Sequence, residues 1–82
     1  MNFWTEELAL VEAAALRIEA LEAAAETRFD SMHAAASARG TADDALGTPE
    51  FKAWMDARAD TDAAWGRWAQ VMDARPQPSQ RS

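Results

Sequence analysis

The sequence predicts an all-α protein, an antiparallel hairpin of two helices, from three observations. Apolar residues recur every three or four positions over two long segments, which is the spacing of one helix face and not the alternation of a strand. Alanine, the best helix former, supplies about a quarter of the chain. The few Gly and Pro residues are concentrated between and after those segments: Gly40, Gly47 and Pro49 in the middle, Pro76 and Pro78 at the end.

The first segment is expected to be helical over about 5–39. Thr5 is a fitting N-cap, and Glu6 and Glu7 follow where the helix dipole favours negative charge. One face carries Trp4, Leu8, Val11, Ile18, Leu21, Phe29 and Met32, with Ala15, Ala25 and Ala36 filling the steps. The opposite face is small rather than bulky, with Ala9, Ala13, Leu16, Ala20, Ala23, Thr27, Ser31, Ala34 and Ala38. Between them runs an acidic stripe of Glu12, Glu19, Glu26 and Asp30, with Glu22 at the edge of the bulky face. Gly40 suits the left-handed position that ends a helix.

The connector runs from Gly40 to Gly47, and Thr41 can start a short third helical turn within it. The second helix, about 49–75, has a sharp start: Thr48 as N-cap, Pro49 at the first position, Glu50 next. Its bulky face holds Phe51, Trp54, Trp65, Trp68 and Met72. Gly66 interrupts it and could admit a close neighbour beside Trp65. The whole of 1–75 is expected to be one domain, and 76–82, polar and broken by proline, a disordered tail.

Folding the chain at the connector pairs Ala36 with Phe51, Met32 with Trp54, Phe29 with Arg58, Ala25 with Thr61, Ile18 with Trp68 and Ala15 with Met72. Arg58 then reaches Glu26 or Asp30. In that register the second helix ends near Val11, and Phe3, Trp4, Leu8 and Leu10 overhang uncovered. A hairpin has one seam and little core, and a chain of 82 residues buries only about 60% of its unfolded surface. The expectation is therefore a homodimer forming a four-helix bundle, with the overhang and the small face buried in it; the alternatives are that the overhang binds a different protein or that a short helix at 41–46 folds over it.

Composition narrows the function. The net charge of −6 disfavours direct binding of nucleic acid, since phosphate is repelled and no basic patch offsets it. There is no Cys to form a disulfide. No apolar run is long enough to span a membrane and no secretory leader is visible, so a cytoplasmic protein without a membrane partner is expected. Lysine is nearly absent (Lys52 alone) while Arg and Ala are common, which points to a GC-rich bacterial genome or to its phages and plasmids. No catalytic Ser-His-Asp or Cys-His set and no Gly-rich phosphate loop occurs, so no enzyme and no cofactor is expected.

What remains is protein–protein interaction. The expected partner-binding residues are Phe3, Trp4, Leu8 and Leu10 at the overhang, and Glu12, Glu19, Glu26 and Asp30 along the stripe. Such a stripe imitates a row of phosphates, or it is simply a solvated face. In size, acidity and helical simplicity the chain resembles small anti-CRISPR and anti-restriction inhibitors, which block nucleic-acid-binding defence complexes. That resemblance is of class, without a shared motif, and implies a regulator or inhibitor with an unidentified protein partner. A second reading is an adaptor subunit completing a larger helical assembly. A third uses Asp30 and His33 as metal ligands, a spacing close to the Glu-x-x-His pairs of di-iron bundles. Trp65 and Trp68 serve either as a binding platform or as core.

Overall fold

The computed structural model describes residues 3–76 and contains no strand among them. Helix α1 spans Phe3–Ala38, 36 residues, and helix α2 spans Pro49–Asp73, 25 residues, with a 3-10 segment at Ala42–Gly47 between them. At 1.5 Å per residue the two helices are about 54 and 37 Å long. The tail expected at 76–82 lies, beyond Pro76, outside the described residues. Thr5 is inside α1 and not its cap, because the helix begins two residues earlier, at Phe3.

Local chemistry sets the ends. Gly40 has φ of +78°, and the backbone there closes two hydrogen bonds, Gly40 N–H to Ser37 O at 3.0 Å and Thr41 N–H to Ala36 O at 2.8 Å. These are the paired bonds of a Schellman stop, which needs the left-handed conformation that only Gly adopts without strain. Thr48 caps α2: its hydroxyl accepts from Phe51 N–H at 3.2 Å and donates to Ala45 O at 2.6 Å. One side chain thus joins the 3-10 segment to the first turn of α2.

The seam on α1 is a heptad. Trp4, Leu8, Val11, Ala15, Ile18, Glu22, Ala25, Phe29, Met32 and Ala36 are all buried or half-buried, and their spacing alternates four and three without a break. A repeat of 3.5 keeps one stripe against a partner helix if the two wind around each other left-handedly. That repeat corrects one assignment. Leu21, expected in the seam, is 65% exposed, and Glu22 takes the place. On α2 the inner row is Trp54, Ala57, Thr61, Ala64, Trp68 and Val71, with Phe51, Trp65 and Met72 half-buried at its side.

Register is the largest correction. Phe29 meets Phe51, with ring centroids 5.4 Å apart, and stacks on Trp54 at 5.1 Å. The sequence pattern places Phe29 opposite Arg58, one heptad further along α2. The connector explains the shift. It does not hang as a loop off the end of α1. It folds back as a 3-10 segment along the last turns of α1, burying Ala45 and Ala36 to 1% and 3% exposure. The segment occupies the end of the α1 seam, and α2 begins one heptad further back.

The overhang therefore does not form as expected. Trp4 Nε1 donates to Val71 O in the last turn of α2, and Arg75 lies 5.6 Å from the centroid of the Trp4 ring. The Val71 carbonyl also accepts from Ala74 N–H at 3.1 Å, so Trp4 adds a second donor at the helix end. Trp4 and Leu8 are half-buried, and α2 reaches the level of Trp4. Arg58 makes no ion pair with Glu26 or Asp30; it lies 5.8 Å from the centroid of the Trp54 ring.

The seam is thin. Among the described residues no large side chain is completely buried, and the best-covered large ones are Phe29 at 8% and Val71 at 9% exposure. Trp54 Nε1, Thr61 Oγ1 and Trp68 Nε1 are buried without a hydrogen-bond partner, one heptad apart along α2. Each such group costs about 1–3 kcal/mol.

Candidate functional site

Once the seam is fixed, α1 has two flanks, and they differ in chemistry. Glu12, Glu19 and Glu26 stand seven residues apart and Asp30 four further on, all exposed. At 1.5 Å per residue the acidic row covers about 27 Å, with steps of about 10 Å between glutamates. A heptad spacing keeps the row parallel to the seam along its length. It includes one large apolar residue, Leu16, at 52% exposure.

The other flank carries Phe3, Leu10 and Leu21, exposed by 82%, 71% and 65%. They are seven and eleven residues apart, so at 100° per residue they fall within about 20° of one line. Ala14 sits between the leucines, and the charged residues are Glu7, Arg17 and Arg28. This flank is close to neutral. Most of the acidity of α1 stands on the opposite one.

The expected partner-binding residues thus separate into three groups. Glu12, Glu19, Glu26 and Asp30 form the acidic flank, while Phe3 and Leu10 stand on the apolar flank. Trp4 and Leu8 belong to the seam and present little surface. Leu21, Arg17 and Arg28 were not expected to share a surface with Phe3 and Leu10. The signal that would have grouped them is the strict 3.5 count, which assigns Glu22 to the seam and turns Leu21 out.

The metal reading gains little geometry. His33 is exposed, and its ring lies 5.7 Å from that of Phe29 at 30°. Among the described residues, no group of three His, Cys, Asp or Glu side chains stands close enough to share an ion. Asp56, Asp60 and Asp62 on α2 are exposed and do not converge on Asp30. Trp65 and Trp68 meet edge to face at 5.6 Å and are half-buried in the seam, so packing accounts for them.

One ion pair is formed among the described residues. Lys52 Nζ donates to Asp56 Oδ2 at 2.6 Å, and that hydrogen bond, with the attraction of the carboxylate, raises the Lys52 pKa above its ordinary value. The pair is on the exposed back of α2, where salt screens it. Among the described residues no pocket opens, and no helix is long and apolar enough to cross a membrane. Comparison with protein-family models, with curated proteins and with solved structures gives no match.

Proposed function

We propose that the chain is a non-enzymatic protein–protein interaction module of the cytoplasm, which pairs with itself into a four-helix bundle and offers an acidic flank to a second protein. The observation that carries this reading is the division of α1 into two unlike flanks on either side of one seam. An exposed row of carboxylates along a rigid helix suits a complementary basic surface and gives it a fixed spacing. Surfaces of that kind are those that bind nucleic acid. The concrete form of the proposal is an inhibitor that occupies the nucleic-acid-binding surface of a bacterial defence complex, in the manner of anti-CRISPR and anti-restriction proteins.

The experiment uses a purified nucleic-acid-binding defence complex and the full chain. Binding is expected to fall as salt is raised, because exposed charge pairs are screened beyond about 8–10 Å at ordinary ionic strength. DNA or RNA should compete, and Glu12→Gln/Glu19→Gln/Glu26→Gln should weaken binding about tenfold or more while leaving helix content unchanged. Binding that survives the triple substitution and ignores nucleic acid would remove the inhibitor reading. An adaptor role is supported instead if such binding is insensitive to salt and depends on Phe3 and Leu10.

A further inference from the structure

The apolar flank of α1 is left over once the seam is closed, and three observations say what covers it. The first is area. The molecule exposes 5877 Å², whereas a compact protein of 9.0 kDa exposes about 4,900 Å². The excess of about 1,000 Å² is spread over the whole rod, and it is of the size that one partner gives up in a standard stable interface, about 800 Å². The second is chemistry. Phe3, Leu10 and Leu21 need an apolar counterpart, and the acidic flank, with Leu16 alone, has too little apolar surface to supply one. The third is charge. Glu7, Arg17 and Arg28 on this flank include both signs, so a second copy meets attraction here, whereas two acidic flanks would repel.

We propose that this flank is the self-association face, and that two copies lie on it antiparallel, Leu10 of each against Leu21 of the other. This rests on the self-pairing in the reading above and specifies its geometry. The two-fold axis then passes between Ala14 and Arg17. The small Ala14 lets the helices approach at the centre. The same register sets Phe3 level with Arg28 of the second copy, a cation over an aromatic ring. Glu7 of one copy and Arg28 of the other lie within about one turn, close enough to pair. Arg17 is the one like-charge neighbour across the axis, and its long side chain carries the charge out to water. The acidic flanks remain outside, one on each side of the dimer.

Sedimentation equilibrium on the full chain tests this, with circular dichroism to confirm that each variant keeps its helix. Leu10 and Leu21 are mostly exposed, so polar replacements should leave the hairpin folded. Wild-type chain is expected as a dimer. Leu10→Glu alone and Leu21→Arg alone should each raise the dissociation constant about tenfold or more. Combining the two in one chain should restore the dimer, because antiparallel pairing sets each Glu against an Arg. If the double variant stays monomeric while wild type dimerises, the arrangement is wrong though self-pairing stands. A wild-type monomer throughout the micromolar range overturns both. Species heavier than a dimer that grow with concentration overturn the two-fold in favour of arginines docking on the next copy's acidic flank. Disruption by Leu16→Glu, with Leu10→Glu silent, moves the interface to the other flank and also overturns it.

Discussion

Trp4 shows how much one side chain contributes in so thin a fold. Its indole ties the first turn of α1 to the last turn of α2 through the carbonyl of Val71, and Arg75 covers its ring. Replacing it with Phe keeps most of the ring and removes the donor. Trp4→Phe is expected to cost about 1 kcal/mol, since a net hydrogen bond contributes about that much. In a domain of this size the loss lowers the melting temperature by about 4–8 °C, read by thermal denaturation monitored at helix wavelengths. No change would mean that the contact contributes nothing to holding the two ends together. Glu22 is the converse case. A carboxylate holds a seam position while Leu21, the neighbour that would fill it better, stands in water. Hydrophobicity favours Leu21 for the seam, but the backbone repeat decides the matter. A leucine turned out of its own seam beside a glutamate turned in is the kind of local inconsistency that marks a surface with another use.

The helices, the end of α1 and the start of α2 were legible in the sequence because the forces that make them are local, while the start of α1 was not, lying at Phe3 and not after Thr5. Thr48, Pro49 and Gly40 each act within a few residues, and each does in the structure what its chemistry requires. Residues seven apart on α1 were equally legible as one face. Register was not, because a shift of one heptad returns every seam position to a seam position. In the structure large rings meet one another, Phe29 against Phe51 and Trp54, whereas the alignment one heptad away sets large rings against small or medium partners, and nothing local in the sequence decides between the two. The division of the flanks depends on the same count, so Phe3 and Leu10 were chosen as surface residues, but beside Trp4 and Leu8, which are not. Gly66 gives a test of α2 alone. A Cβ built on it meets nothing within 4 Å, so nothing in the hairpin requires a glycine there. Gly66→Ala is expected to stabilise the chain by about 1 kcal/mol, the helix-propensity difference, read as a higher midpoint in urea. A loss of stability that appears only at concentrations where the chain is dimeric would show that a second molecule comes close at Gly66.

The whole molecule is a rod and not a globule. Its radius of gyration is 19.1 Å, against about 12 Å for a compact chain of 82 residues. A rod of two helices has one line of contact and much surface, so burial within a single copy is small. Three unpartnered polar groups lie in that line. Stability should therefore depend on association. The melting temperature is expected to rise with protein concentration, as mass action requires when only the folded form pairs. Scanning calorimetry over a hundredfold range of concentration would detect it, and a constant melting temperature would mean that the hairpin stands on its single seam.

The way the 3-10 segment doubles back on α1 has a consequence for how the rod keeps its alignment. Two helices whose contacts repeat every seven residues carry no mark telling them where to stop along each other. The mark is in the connector. Between the Gly40 turn and the Thr48 cap, the folded segment takes up a set length of α1 before α2 begins, so it acts as a ruler. A connector that was pulled straight or lengthened would let one helix slide past the other by a whole repeat, about 10 Å. The seam positions of one helix would again face seam positions of the other, with Phe29 parted from Phe51 and Trp54. Such a slide would carry the acidic row along α2 without turning it, and Trp4 would lose the helix end that now holds it.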